Sequence, residues 1–378
     1  MIIGADIRSL LEEEYSGVSV YTKHVISGMV ASDKENSYRL FYNSHKPKNI
    51  GFFHKENASI YEYRIPNKIF NASLRILKRP RIDSLLGGID IFFLPNIQFF
   101  SIRKTVPYVL TVHDLSFERY KEYFGLKSRL WHRAVRPREL CREAAHIIAV
   151  SNSTKNDLVE LYGIPEEKIT KVYSGVEQRP YARDVERLEH LKKQYEIGEK
   201  YVIYVGNIEP RKNISGIITS FLRSRLSKEY TLVLAGAGNT EKKRLEKKHK
   251  GLKKAVFTGY LSEPDKCVLL SGARQSIYPS FYEGFGFPPL EAMSLGVPTI
   301  VSSASSLPEV CGNSSICVNP HHIRDIIQAM EALEGDEDLR ARFIALGKER
   351  AKKFIWEKTA QETLDIIRRT HREYEKNS

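Results

Sequence analysis

Cysteine is scarce in this chain: four in 378 residues, at Cys141, Cys267, Cys311 and Cys317. No two form a C-x-x-C pair, which argues against zinc and dithiol redox sites; reduced, mostly packed thiols are the expectation. Long apolar runs are missing as well. None approaches the roughly 20 residues that span a bilayer, and the opening MIIGADIRSL reads as a buried strand with no signal-peptide pattern. Low-complexity tracts and short-period repeats are absent too. Acidic residues are in deficit, 46 against 59 Lys plus Arg, for a formal charge of +13. That balance favours an anionic partner: nucleic acid, a phosphorylated small molecule or an anionic membrane face. A basic surface serving solubility alone is the bland alternative.

The length favours two domains. Apolar runs at Ile2–Ile7, Tyr38–Tyr42, Ile89–Leu94, Tyr108–Val112 and Ile147–Val150 alternate with helical periodicity at Val18–Met29 and Ser151–Tyr162. A last short strand falls within residues 165–177. Residues 178–200, rich in charge and with Pro180, read as a connection that includes a short helix. The pattern then restarts: strands at Tyr201–Val205, Thr231–Leu234, Val256–Thr258, Gln275–Tyr278, Pro298–Val301 and Ser315–Val318, and a helix at Ile214–Leu226. The expectation is an α/β chain of two Rossmann-like parallel-sheet domains, with ligand at the carboxyl ends of the strands. Their limits are 1–178 and 201–355, with a linker at 179–200. An amphipathic helix over about 356–374 can pack back on the first domain.

Four strand-to-loop junctions concentrate unusual residues. In YSGVSVYTKHV, Gly17 stands before a helix, where backbone can approach a phosphate; a tight turn explains it equally. In YVLTVHDLSF, His113 and Asp114 end an apolar strand, with Asp114 either holding His113 or capping the next turn. In YVIYVGNIEPRKNISGII the strand ends at Gly206, and Arg211 and Lys212 precede Asn213, a helix cap. Two cations beside a helix start suit a diphosphate clamp, a reading preferred here over a basic surface turn because they follow a strand's carboxyl end. In SFYEGFGFPPLEAM, Pro288 and Pro289 suit a first helical turn, which puts Glu283 in the loop and Glu291 on the helix. A loop carboxylate can face a sugar, and a first-turn carboxylate can accept from ribose hydroxyls or simply answer the helix dipole. AGAGNT lacks the third glycine of a dinucleotide fingerprint. The D-x-D at Asp336 and Asp338 opens a helix and reads as dipole-favoured acids, so no metal site is expected.

The runs YVGNIEPRKNISGII, LVLAGAGN, VFTGYLSEPD, SFYEGFGFPPLEAMSLGVPTIVSSASSLPEV, TVHDLSFERYKEYF and IIAVSNSTKNDLVELYGIPEEKITKVYSGVE together resemble the family 4 glycosyltransferases across nearly the whole chain. The resemblance implies a GT-B fold, two Rossmann-like domains facing a cleft. It also implies metal-independent transfer of a sugar from a nucleotide-sugar donor with retention of configuration, and no cofactor. Carried over, Arg211 and Lys212 neutralise the diphosphate, Glu291 holds the ribose and Glu283 the donor sugar. His113 contacts the sugar near the reacting carbon, and Phe285 and Gly286 offer backbone amides. Gly17, Gly206 and Leu290 complete the donor site. Ser16-Gly17 departs from the paired glycines of many relatives, which restricts close approach there.

The pattern looks closest to bacterial mannosyltransferases of surface-polysaccharide assembly. It implies GDP-mannose as donor and a lipid-linked glycan acceptor, in a cytoplasmic protein peripheral to the inner membrane face. A UDP-sugar donor is the alternative, and a nucleotide-sugar epimerase a more distant one. Basic segments 64–81 and 119–142, interleaved with apolar and aromatic residues, suit an anionic membrane surface; solvated helix faces with rings packed inward suit them too. A glycoside hydrolase leaves Arg211-Lys212 unexplained. A nucleic-acid binder lacks a recognition motif, and nucleic acid is not an expected partner.

Overall fold

In a computed structural model, the described residues are 1–11, 16–45, 53, 55–177, 184–249 and 254–377. They form two units, Met1–Gly175 with Ile355–Ser378, and Val176–Phe354.

The first unit is built on seven strands: β1 (Ile2–Asp6), β2 (Ser37–Asn43), β3 (Ala58–Tyr63), β4 (Ile91–Leu94), β5 (Tyr108–Val112), β6 (His146–Ala149) and β7 (Ile169–Lys171). Their order is β3-β2-β1-β4-β5-β6-β7, all parallel. The central β4 and β5 are buried at every residue, as a parallel strand covered on both faces must be. Sequence reading missed β3, because ASIYEY is a half-exposed edge strand with no fully buried residue.

The second unit has β8 (Lys200–Val205), β9 (Tyr230–Ala235), β10 (Ala255–Gly259), β11 (Gln275–Tyr278), β12 (Thr299–Ser302) and β13 (Ile316–Val318). Their order is β10-β9-β8-β11-β12-β13, again all parallel. The order reverses between β8 and β11. At such a switch the loops after two adjacent strands diverge and leave a crevice at their carboxyl ends.

Within the stretch read as a connection, residues 178–183 lie outside the described residues. Val185–Gln194 is a helix whose Asp184 cap accepts from the Arg187 N–H at 2.9 Å, and its Leu188 and Leu191 enter the second unit's core. The helix Trp356–Asn377 packs within the first unit against Gly17–Ser32. A Cβ at Gly28 would stand 2.6 Å from Ala360 Cβ, so glycine is what lets these helices meet. The buried side of Gly17–Ser32 carries Tyr21, Val25, Ile26, Met29 and Val30, one helical face. None of the four cysteines is in a disulfide; Cys141 and Cys311 are buried, Cys267 is half-buried and Cys317 is exposed.

Candidate functional site

The switch point of the second unit gathers the residues singled out between Gly206 and Glu291. β8 ends at Gly206, whose φ of +141° only glycine adopts readily. The glycine pair of AGAGN answers this loop. A Cβ at Gly236 would collide with the Gly206 carbonyl, and the Ile208 N–H donates to Ala237 O at 2.6 Å. Its glycines therefore let two strand-end loops touch. The Tyr204 hydroxyl, beneath them, donates to Asn207 O at 2.9 Å.

Pro210–Lys212 forms one 3-10 turn, and Asn213, at φ +58°, caps the helix Ile214–Arg223 as expected. Its Oδ1 accepts from the Gly216 N–H at 3.2 Å, and its Nδ2 donates to Pro279 O and Pro320 O at 3.1 and 2.7 Å. This one side chain ties the cation turn to the loop after β11. The Phe281 N–H, donating to Arg211 O at 2.9 Å, adds a second tie.

Across these ties lies an ion pair. Lys212 Nζ donates to both oxygens of Glu283, at 2.6 and 2.5 Å, and each side chain is 12% exposed. Arg211 Nη1 stands 3.5 Å from the same carboxylate, while its Nε donates to Glu209 Oε2 at 2.9 Å. The Ser280 hydroxyl donates to Glu283 Oε1 at 2.9 Å. Burial alone would raise the Glu283 carboxyl, but Lys212 and Arg211 outweigh it and hold its pKa below the usual carboxylate value. The group therefore stays ionised at neutral pH. Its pairing stabilises the fold above the ordinary carboxylate pKa, and that contribution is lost as acidification passes through the lowered folded value.

A serine loop after β12 fixes the backbone of Glu283. The Glu283 N–H donates to Ser305 Oγ at 2.8 Å, and Ser306 Oγ lies 2.9 and 2.8 Å from the carbonyl oxygens of Glu283 and Phe285, sharing its proton between them. Ser305 sits at φ +55°, a left-handed conformation costly for a side chain with a Cβ. Ser305→Gly should release about 1–2 kcal/mol of that strain and lose a hydrogen bond worth about 1 kcal/mol. Stability should then stay nearly level, while the sugar transfer that the resemblance implies should fall about ten-fold through misplacement of Glu283. Melting curves beside donor kinetics check this; an equal fall in both would leave Ser305 a purely structural residue.

The helix Phe287–Ser294 begins after Gly286, at φ +112°, where a Cβ would press Leu307 at 2.6 Å. As expected, Glu283 lies in the loop and Glu291 on the helix. Glu291 stands past the first turn, however, which holds no acid, so the helix-dipole explanation for it falls away. Its partner is Lys266, whose Nζ donates to Oε1 at 3.1 Å, stands 3.0 Å from Oε2, and also meets Glu263 at 3.0 Å. Burial would depress the Lys266 ammonium, but Glu291 and Glu263 raise it above the usual lysine value. Leu290 is fully buried, and Phe285, 5% exposed, meets Phe287 edge-on at 5.2 Å.

Gly17 and His113 belong to the first unit. Gly17 is exposed and is the first residue of its helix, and Ser16 caps that helix by accepting from the Ser19 N–H at 3.3 Å. That gives the serine in place of a second glycine a job of its own. From this helix Tyr21 meets the His113 ring edge-on at 4.7 Å. His113 Nε2 stands 2.8 Å from Pro95 O, which can only accept. Burial lowers the His113 pKa, so the ring is neutral, with the proton on Nε2 and a lone pair on Nδ1. Asp114 caps the next turn: its Oδ1 accepts from the Ser116 N–H and hydroxyl at 3.0 and 2.7 Å. Asp336 likewise caps the helix Glu337–Ala351, accepting from the Leu339 N–H at 2.8 Å.

Lys266, Ser305 and Ser306 are the residues sequence reasoning missed. The serines carried a signal, since they follow the carboxyl end of β12 as the other candidates follow β8 and β11. Lys266 carried none, because its approach to Glu291 depends on how two helices pack.

Residues 15–179 match the family described as Glycosyltransferase Family 4, and residues 187–350 the family described as Glycosyl transferases group 1. O-antigen chain mannosyltransferase B of Escherichia coli is 33% identical over 269 residues, 69% of this chain and 70% of that protein. Serotype-specific mannosyltransferase WbdA of Escherichia coli is 34% identical over 224 residues, 57% of this chain but only 27% of WbdA. Among solved structures, sucrose-phosphate synthase from Thermosynechococcus elongatus has a TM-score of 0.75 at 17% identity, covering 98% of both chains. Anabaena HepE, solved with UDP and glucose, has a TM-score of 0.71 at 16% identity, covering 97% of this chain and 99% of that one. These structures carry the fold, which is of the GT-B class. With both halves matched and a relative one-third identical over 70% of its own length, the chain belongs to the group 1, family 4 glycosyltransferases.

Proposed function

We propose that this protein is a retaining mannosyltransferase of surface-polysaccharide assembly. It moves mannose from GDP-mannose to a lipid-linked glycan at the inner face of the cytoplasmic membrane. The observation that carries the donor site is the Lys212–Glu283 pair at the strand switch, with Arg211 beside it. Two cations held in a partly dry crevice suit a diphosphate, and a carboxylate in reach of them suits a sugar hydroxyl. The mannosyl reading is supported by the mannosyltransferase relatives.

In the reaction, the bond from the anomeric carbon to the β-phosphate oxygen breaks as Lys212 and Arg211 take up the growing negative charge. The acceptor hydroxyl oxygen bonds to that carbon from the same face. Its proton passes to the departing phosphate oxygen, and nucleoside diphosphate leaves. Glu283, fixed at both backbone ends by the serine loop, accepts from a sugar hydroxyl. Glu291, steadied by Lys266, accepts from the ribose hydroxyls.

Thermal shift with GDP-mannose, GDP, UDP-glucose and UDP tests the donor. GDP and GDP-mannose should raise the melting temperature more than the uridine compounds; the reverse ranking would make this a UDP-sugar enzyme. Glu291→Ala should weaken GDP binding by about ten-fold or more, on the scale of hydrogen bonds to a charged group. Unchanged affinity would remove Glu291 from the ribose. Product analysis without acceptor separates transfer from epimerisation.

A further inference from the structure

The helix Asn67–Ile76 has two apolar sides, and the fold accounts for one. Phe70 and Leu74 point into the first unit's core at 1% and 3% exposure. Ile69 and Ile76, seven residues and so two turns apart, share an outward face at 63% and 75%, and Leu77 continues it at 68%. Lys68 and Arg75 keep the same seven-residue spacing beside them. From Arg64 to Arg81 the chain carries six cations and no acid. Arg64 pairs with Glu62; among the described residues Lys68, Arg75, Lys78, Arg79 and Arg81 have no acidic partner.

Two further features adjoin this face. An open cavity of about 610 Å³ is lined by Arg79, Arg81, Ser73 and Leu77 among others, two guanidiniums and a hydroxyl beside an aliphatic rim. A second outward patch, Leu126, Leu130 and Trp131, lies on the helix Leu126–Val135. The loop around Phe99 and Ser101 joins the two: the Ser101 hydroxyl donates to Lys78 O at 2.7 Å, and the Phe99 ring meets Trp131 at 5.9 Å. In segment 119–142, by contrast, Arg119, Lys121 and Arg136 are already paired with acids. Five further cations of that segment, Lys127, Arg129, Arg133, Arg138 and Arg142, have no acidic partner among the described residues; what sets 68–81 apart is that its five fall within fourteen residues with no acid among them.

We infer that this face docks the protein on an anionic phospholipid bilayer. The helix Asn67–Ile76 lies in the headgroup plane with Ile69, Ile76 and Leu77 inserted, and Arg79 and Arg81 hold a lipid phosphate. The charge alone would also suit nucleic acid, but three exposed aliphatic side chains give bases no ring to stack on and do suit acyl chains. The inference names the surface behind the membrane placement proposed above. It does not depend on the donor, because lipid binding needs no nucleotide sugar, so the two readings fail separately.

Flotation of the full chain with vesicles of phosphatidylcholine, with and without phosphatidylglycerol, tests it. The protein should float only with the anionic vesicles. Ile76→Ser with Leu77→Ser, and separately Arg79→Gln with Arg81→Gln, should each weaken partitioning by about ten-fold or more. Every altered side chain lies on this face or lines its cavity, and melting curves with the donor thermal shift report whether each variant is folded. Added salt should release the native protein far more than the arginine variant. No flotation with anionic vesicles, equal flotation on neutral ones, or native partitioning by both variants would overturn the inference. So would release from vesicles by duplex oligonucleotide at matched phosphate, which would make the surface a nucleic-acid site.

Discussion

Lys212→Ala should lower transfer by about 10²–10³-fold, the loss expected when one preorganised donor to a developing anion is removed. It should also destabilise the second unit, and this follows from the geometry rather than from the reaction. Glu283 is nearly buried, and Lys212 makes its shortest ion pair. Removing one partner of a buried pair leaves the other charge stranded, at a cost of about 3–5 kcal/mol. The remaining compensation is Arg211 at 3.5 Å and the Ser280 hydroxyl. Combining Lys212→Ala with Glu283→Gln should restore much of the lost stability while leaving transfer low. A melting temperature for the double variant no higher than for Lys212→Ala would mean that the pair is not the source of the instability. Normal turnover in the single variant would remove Lys212 from the clamp.

Glu283→Gln should separate binding from turnover in opposite directions. The cations proposed to hold the diphosphate are paired with Glu283 in this structure, so on that reading a diphosphate must compete with an internal carboxylate. Replacing that carboxylate with an amide of similar shape frees Lys212 and Arg211. Free nucleoside diphosphate should then bind about ten-fold more tightly, or ~1.4 kcal/mol. Turnover should still fall by about 10²-fold, because an amide is a weaker acceptor for the sugar hydroxyl whose position it sets. Titration calorimetry with GDP and UDP, beside donor kinetics, reads both effects. Weaker diphosphate binding in this variant would show that Glu283 supports the phosphate site rather than guarding it.

Much of this arrangement was legible because it follows from local pattern. Runs such as YVLTV and QSIY are strands wherever they fall in a two-sided parallel sheet, and both occur with the expected limits. Pro288 and Pro289 marked a helix start, and Asn213 a cap, through backbone chemistry that needs no tertiary context. What stayed hidden depends on packing between distant segments. ASIYEY is a strand only because β2 offers it an edge. The Lys266–Glu291 contact spans two helices, and the grip of Ser305 on Glu283 spans 22 residues. The doubly apolar helix Asn67–Ile76 shows its second side only once the first is buried.

The helix Trp356–Asn377 lies at the far end of the chain yet completes the first unit, covering the helix Gly17–Ser32. During synthesis, residues 1–175 emerge without it. The roughly two hundred residues that follow, added at about 5–20 per second, leave the Gly28 face uncovered for roughly 10–40 s. The second unit, continuous in sequence, can close its core meanwhile. The nascent first unit is therefore the part most exposed to aggregation and proteolysis. Ending translation before Trp356 would leave a finished second unit attached to an unfinished first.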